Sequence, residues 1–268
     1  MKHDDVDGIV FWTKNFRPFM RYLPELTGSH IPFIIQYTIN GYPQSMEHHV
    51  VESAKSIETV RELSDRFGHR CVVWRYDTII FSRETPRDFH LENFQALARD
   101  LKGATDEVVI SFLQLYQKTA INLNKMVENT GNQWWEPHVE EKRLLAIELN
   151  EIAMSAGITL TLCSQPEILT DLPASRCIDS KRIADVAGRK IQAKTLGKRP
   201  GCECAASRDI GDYDTCPHGC VYCYAVRSHN LAVQRFKRHD PESEFLFTNS
   251  NDLTSVPNQS GPQPRLFE

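Results

Sequence analysis

No stretch of the sequence approaches the roughly 20 consecutive apolar residues that a bilayer-spanning helix needs, and Met1-Lys-His-Asp-Asp is followed by no apolar segment that would serve as a secretion signal. The chain is therefore expected to be cytoplasmic, with no membrane role. Charge of one sign is also lacking: 31 Lys+Arg against 35 Asp+Glu leave a formal net charge of −4. Without a positive excess there is no global attraction to phosphate, so any contact with nucleic acid would need a local basic patch. Low-complexity composition is missing from the body of the chain, and 41% hydrophobic with 25% charged residues excludes a disordered or collagen-like protein. The 268 residues suffice for two domains or for one α/β barrel.

What the sequence does have is cysteine. Eight cysteines in a cytosolic chain are not expected to pair as structural disulfides, because that compartment keeps thiols reduced. They are unevenly spread. Cys71, Cys163 and Cys177 are isolated, whereas Cys202, Cys204, Cys216, Cys220 and Cys223 crowd together, and the natural reading is a metal site.

Apolar, β-branched runs alternate with helix-patterned segments over the first two thirds of the chain. Strands are expected at Gly8–Trp12, Ile31–Ile39, Cys71–Phe81, Glu107–Leu115 and Ile158–Cys163. Helices are expected around Pro18–Leu26, at Ser56–Phe67 with Ser56 as N-cap and Gly68 as stop, at Asp88–Leu101 and at Glu140–Ser155. Five β-α alternations with near-continuous apolar strands predict an α/β fold, a partial TIM-like (β/α) barrel over residues 1–170. Residues 171–240 are then a Cys-rich segment packed on that barrel, ending in a helix from Ala225 to His239. Residues 241–268, rich in Ser, Thr, Asn, Gln and Pro, read as a flexible tail.

Barrels of this kind do their chemistry at the C-terminal ends of the strands, and the residues there are polar in every case. Thr13, Lys14 and Asn15 follow the first strand, Gln36 and Thr38 end the second, and Arg75 and Asp77 interrupt the third; Gln114, Gln117, Ser164, Gln165 and Glu167 follow the rest. Strand ends are also where chains surface, so each residue alone says little. Together they make a polar cup above an apolar layer. Arg75 and Asp77 share one side of their strand by its period of two, and they are either an ion pair or groups for a ligand's carboxylate and ribose.

The central motif is Cys216-Pro-His-Gly-Cys220-Val-Tyr-Cys223, a C-x3-C-x2-C spacing. Three thiolates so close in the chain can wrap one face of an iron–sulfur cube and leave the fourth iron open to another ligand. Gly219 permits a left-handed turn, Pro217 stiffens the start of the loop, and Tyr222 is placed to shield the cluster or touch what binds there. His218 reads as a group that tunes the cluster rather than a ligand. A second set, Cys163, Cys177, Cys202 and Cys204, supplies the four thiolates that would close a zinc site or hold a second cluster; the alternative is that Cys163 and Cys177 are small buried hydrophobes. Cys71 opens an apolar strand and reads as core.

The spacing and the aromatic residue before the last cysteine resemble the signature of radical S-adenosylmethionine (radical SAM) enzymes. The resemblance implies a [4Fe-4S] cluster on Cys216, Cys220 and Cys223, with S-adenosyl-L-methionine on the fourth iron. It further implies a 5′-deoxyadenosyl radical for hydrogen abstraction from an unknown substrate, and an electron donor as partner. Lys14, Gln36, Arg75, Asp77 and Tyr222 are then the expected cofactor-binding residues. Those enzymes usually carry the motif after the first barrel strand, whereas here it follows the alternating region. Over nearly its whole length, through Gly8-Ile-Val-Phe-Trp-Thr-Lys-Asn15, Trp74-Arg-Tyr-Asp77 and Ser207-Arg-Asp-Ile-Gly-Asp-Tyr-Asp-Thr-Cys216, the chain resembles domain-of-unknown-function family 1848. Members of that family typically begin with a further strand and helix containing Ser-Arg-Arg-Thr-Asp, which this sequence lacks, so its start is expected to be truncated.

A different class of function is a non-catalytic zinc- or cluster-binding module that recognises nucleic acid or protein; simple electron transfer is a third. His48 and His49 read as surface residues, and the basic stretch Gln234–His239, with Arg227, as a solvated helix face. Near the end stands Gln263-Pro-Arg-Leu-Phe267, which looks like the short peptides that dock on bacterial DNA sliding clamps.

Overall fold

The computed structural model describes residues 6–168, 171–197 and 199–243. They divide into two compact units. One takes in the chain through Arg208 together with His218–Tyr224; the other takes in Asp209–Pro217 and the chain from Ala225 onward.

The elements run β1 (Ile9–Thr13), α1 (Leu23–Gly28), β2 (Phe33–Thr38), α2 (Ser53–Phe67), β3 (Val72–Ile79), β4 (Phe81–Ser82), α3 (Arg87–Leu101), β5 (Glu107–Phe112), α4 (Gln117–Thr130), β6 (Trp134–Trp135), α5 (Val139–Ser155), β7 (Thr159–Leu162), α6 (Ser180–Ala187) and α7 (His229–Arg238). Five strands form one sheet in the order β1-β2-β3-β5-β7, every pair parallel. The chain is thus an α/β protein whose strands are laid down in sequence, with β1 and β7 at the two edges of the sheet. At the β7 edge, Leu162 donates its N–H to Pro173 O at 3.0 Å and accepts from Ser175 N at 2.9 Å, so the segment leading to Cys177 adds one more short parallel bridge.

Period-two alternation sorts the strand residues between two faces. Phe33, Ile35 and Tyr37 of β2, Val72, Trp74 and Tyr76 of β3, and Val108, Ile110 and Phe112 of β5 join the main core with Val60 and Leu63 of α2, Phe94 and Leu97 of α3 and Leu145 and Leu149 of α5. Ile34, Val73 and Val109 point the other way. They pack with Cys163, Cys177, Ile183, Ile191 and Cys204, so that α6 and the segment after it cover the second face. Arg182 fixes α6 there: its guanidinium, almost wholly buried, donates to Asp106 at 2.7 Å, Glu107 at 2.6 Å and the Arg70 carbonyl at 3.0 Å.

Several boundaries differ from the sequence reading. The helix expected to start at Ser56 begins three residues earlier, so Ser56 is buried inside α2 and is not its N-cap. Gly68 does end it, at φ +84° and with its N–H on Ser64 O. The region around Pro18–Leu26 is a 3-10 turn, Arg17–Tyr22, followed by α1. The run Cys71–Phe81 is two strands, because the chain leaves the sheet after Ile79 and Phe81–Ser82 pairs antiparallel with Trp134–Trp135. Helices α4 and α6 lie where no helix was expected.

In the second unit, Asp214 organises the start of α7. Its backbone N–H donates to Ala225 O at 3.0 Å, and its carboxylate accepts from the N–H groups of Arg227 and Ser228. Ser228 caps the helix by accepting from Leu231 N at 3.4 Å. No helix among the described residues is long and apolar enough to cross a membrane.

Candidate functional site

The strand face that carries Ile34, Val73 and Val109 changes character along its length. Two residues further along each strand it presents Gln36, Arg75 and Ser111, and β3 continues to Asp77. The strands are parallel, with Gln36 beside Val73, Arg75 beside Val109 and Asp77 beside Ser111, so these polar side chains gather stepwise toward the C-terminal end of the sheet.

Arg75 is the centre of one half of the network. Only 6% exposed, it donates to Asp77 through Nε and Nη2, to Gln36 Oε1 at 3.2 Å and to Cys177 Sγ at 3.0 Å through Nη1. Burial works against its charge, but Cys177, Asp77 and Cys163 outweigh that and hold its pKa well above the usual guanidinium value. Gln36 in turn donates to the Cys177 carbonyl at 3.0 Å, and Ser111 donates to Asp77.

Glu47 is the centre of the other half. Its carboxylate, buried in the loop after β2, accepts from Lys14 Nζ at 2.8 Å, from Asn40 Nδ2 at 3.3 Å and from the Tyr222 hydroxyl. Asn40 links the halves: it donates to Tyr222 Oη at 2.9 Å and to Asp77 O at 3.1 Å, and accepts from Asp77 N at 2.9 Å. Lys14 also stands 5.6 Å from the centre of the Tyr222 ring. Burial, and then the negative charge of Glu47, push the Tyr222 phenol well above its ordinary pKa, so it is a neutral donor at physiological pH. All five residues expected to bind a cofactor therefore sit in one connected network. Asn40, Glu47 and Ser111 belong to it as well and were missed. Asn40 stands just past the end of β2 and could have been picked out by the strand-end rule, whereas nothing in the local sequence marks Glu47.

Tyr222 ties the cysteine loop to this network. Along the same stretch Val221 N donates to Met46 O at 3.0 Å, His49 N donates to His218 O at 2.9 Å, and Cys220 bridges antiparallel to Glu47. Gly219 turns the loop at φ +67°, a left-handed conformation that a side chain would resist, and Cys223 N closes it on Cys220 O at 3.2 Å. Cys220 and Cys223 are half-buried and lie in the first unit; Cys216 is exposed and lies in the second. His218 sits against the His49 carbonyl at 3.2 Å, and burial lowers its pKa.

The second cysteine set comes together from distant parts of the chain. Cys163 and Cys177 stand with their sulfurs 3.7 Å apart, Cys204 hydrogen-bonds to Cys177, and Cys202 to Cys204. Hydrogen bonds from Cys163 and Cys204, together with Arg75, lower the Cys177 pKa well below that of a free thiol, while the hydrogen bond to Cys177 and burial raise those of Cys163 and Cys204. Arg199, which no sequence pattern marks, approaches Cys163 Sγ at 3.5 Å. Cys71 lies apart in the main core, where burial pushes its thiol up to about 12. Among the described residues no group of three or more His, Cys, Asp or Glu side chains is arranged to hold a metal ion.

The remaining strand-end residues serve local structure. Gln165 exchanges hydrogen bonds with the Phe112 backbone, Gln114 reaches Ser164 O, and Thr13 accepts from Asn15 N. Segment 263–267 lies outside the described residues.

The family model described as Domain of unknown function (DUF1848) matches residues 1–225. No curated protein matches the chain. A solved structure described as D-hydantoinase is similar over 67% of this chain and 36% of its own, at 9% identity and a TM-score of 0.32, so the chain spans about a third of that protein's length.

Proposed function

We propose that this chain, which belongs to the DUF1848 family, is an iron–sulfur protein of radical SAM type. Cys216, Cys220 and Cys223 would hold a [4Fe-4S] cluster, and S-adenosyl-L-methionine would occupy its open iron. The donor set suits the group: three thiols within one short loop, turned by a glycine. With cluster and cofactor bound, one-electron reduction would cleave the sulfonium to methionine and a 5′-deoxyadenosyl radical that takes a hydrogen atom from the substrate.

The observation that carries this reading is the tether of Tyr222 to Glu47 and Asn40, which fastens the Cys220–Cys223 turn to the polar end of the sheet. There the chain's own residues divide the work of binding. Asp77, the more exposed of the Arg75–Asp77 pair, suits ribose hydroxyls. Arg75 is committed to Asp77, Gln36 and Cys177, and so holds Asp77 in place. Lys14, paired with Glu47 but 13% exposed, offers a cation to a ligand carboxylate. In this reading the sequential parallel sheet is an arc of a TIM-like barrel, and the cytoplasm is the compartment that keeps eight thiols reduced. The partners are then a substrate, a one-electron donor and, through Gln263–Phe267, a DNA sliding clamp.

The test is anaerobic reconstitution with iron and sulfide followed by dithionite and S-adenosylmethionine. 5′-Deoxyadenosine well above a Cys220→Ala control is expected. Its absence from protein that carries iron and sulfide would reject the enzyme, and absence of iron and sulfide altogether would favour a non-catalytic module.

A further inference from the structure

We infer that Cys163, Cys177, Cys202 and Cys204 form a closed structural site for one tetrahedral soft divalent cation, zinc above all, separate from the loop of Cys216, Cys220 and Cys223. The four come from three separate parts of the first unit. Cys163 follows β7, Cys177 follows the short bridge that Pro173–Ser175 adds to the sheet, and Cys202 and Cys204 lie on the returning limb of a hairpin.

That hairpin is built to bring its thiols back to the sheet. Thr195 and Ala205 pair antiparallel, Leu196 N donates to Cys204 O at 2.9 Å, Ala206 N donates to Lys194 O at 2.8 Å, and Cys202 N closes the tip on Arg199 O at 3.0 Å. The turn is so tight that a Cβ on Gly197 would stand 1.9 Å from the Cys202 carbonyl oxygen. Ala205 N then donates to Ile178 O at 2.9 Å, which docks the hairpin beside Cys177.

Buried thiols can be mere apolar filling. Two arginines speak against that here. Arg75 aims Nη1 at Cys177 Sγ from 3.0 Å and Arg199 aims Nη2 at Cys163 Sγ from 3.5 Å; Arg75 has Asp77 as counter-ion, while Arg199 also hydrogen-bonds to Gln114 and Tyr116. Guanidinium groups facing sulfur suit an anionic centre, and a divalent cation with four thiolates carries a net charge of −2.

One spacing bears on the choice between one ion and a cube. Two thiolates bound at about 2.3 Å to a shared tetrahedral ion stand about 3.8 Å apart, whereas a cube holds each thiolate on its own iron and therefore farther from the next. Cys163 and Cys177 stand at 3.7 Å. In the structure the thiols follow one another in a row from Cys163 through Cys177 and Cys204 to Cys202 and are not grouped around one point, so binding would have to draw them together. Four protein ligands leave no open position, so the ion's task is to fasten the hairpin to the sheet.

The experiment uses the full chain carrying Cys216→Ala, Cys220→Ala and Cys223→Ala, purified anaerobically. Plasma mass spectrometry is expected to find about one zinc per chain. Cobalt(II) in its place is expected to give intense tetrahedral d–d bands with thiolate charge transfer. Cys202→Ser, at a half-buried position on the hairpin, is expected to weaken zinc at least about tenfold in chelator competition while circular dichroism stays unchanged. A folded triple variant without zinc, iron and sulfide in place of zinc, or an unmoved affinity in Cys202→Ser would each overturn the inference. Because the triple variant has lost the other loop, none of these outcomes depends on whether 5′-deoxyadenosine is made.

Discussion

Replacing Glu47 by alanine tests the network that holds the cysteine loop. The carboxylate and its main partner are both withdrawn from water, with Glu47 6% and Lys14 13% exposed. Removing it strands the Lys14 ammonium and the Tyr222 hydroxyl hydrogen, while the Asn40 amide keeps Tyr222 Oη and Asp77 O. Breaking a buried pair costs about 3–5 kcal/mol. Lys14 retains a thin path to solvent and Asn40 keeps Asp77 O, which argues for about 3 kcal/mol here. At about 2.1 cal/mol/K of unfolding entropy per residue, that lowers the Tm of a unit of this size by about 7 °C. The Lys14→Met/Glu47→Leu pair, apolar on both sides, is expected to recover at least about 1.5 kcal/mol relative to the summed single changes. Urea unfolding at pH 7, followed by circular dichroism and fluorescence, measures all five proteins: wild type, Glu47→Ala, Lys14→Met, Glu47→Leu and the pair. Alkylation of Cys220 and Cys223 in Glu47→Ala should also quicken, since the tether through Tyr222 is gone. A loss below about 1 kcal/mol with no coupling would show that water reaches the pair and that the loop is not held this way.

Three further outcomes are expected. His90 is wholly buried, with Tyr76 Oη 2.9 Å from Nδ1 and Ile80 O 3.0 Å from Nε2, and burial lowers its pKa from 6.5 to about 4. Between those values the unfolded chain binds a proton that the folded chain refuses. Stability from His90 is therefore complete above about pH 6.5 and falls on acidification, by about 1.5 kcal/mol from pH 6.5 to 5, and a His90→Gln variant should flatten that slope in urea titrations. Gly197→Ala must push the hairpin off Cys202; a loss of about 2 kcal/mol and faster proteolysis at residues 194–206 are expected, and an unchanged unfolding curve would refute the tight closure. Arg75→Lys keeps the charge but cannot serve Asp77, Gln36 and Cys177 at once. It should cost about 2 kcal/mol in urea unfolding, and a neutral result would show that the fork geometry is dispensable.

The strands were legible because each buried run is continuous and apolar; their ends came out within three residues, except where the third expected run, Cys71–Phe81, hid the break at Ile80. The helices were less so. Ser56 looked like a cap because serine precedes a periodic stretch, but Ser53, Ala54 and Lys55 already support a turn, and Ser56 is buried within α2. Helix α4 was overlooked because few of its residues are buried, Thr119, Leu123 and Met126, and α6 because it is short. At the site, Gln36, Arg75 and Asp77 could be read from strand position alone. Glu47 and Arg199 could not, since each gains its role from a loop that only the folded chain brings back to the sheet.

That contrast follows from how a parallel sheet divides information. A strand residue has its face fixed by parity and its height by register: Gln36 stands beside Val73, Arg75 beside Val109 and Asp77 beside Ser111, so on this face each strand turns from apolar to polar toward its C-terminal end, a change readable from spacing. A loop residue has neither constraint. Its position is set by long-range contacts whose closing entropy must be offset by something specific. For the 218–222 segment the specific contacts are Val221 on Met46, His49 on His218, and Tyr222 on Glu47 and Asn40. For the 194–206 hairpin the backbone bonds close it upon itself, and its docking on the sheet rests on Ala205 to Ile178, the row of sulfurs and the two arginines that face them. On the inference above, an ion there would supply the attachment that these few contacts leave to the thiols.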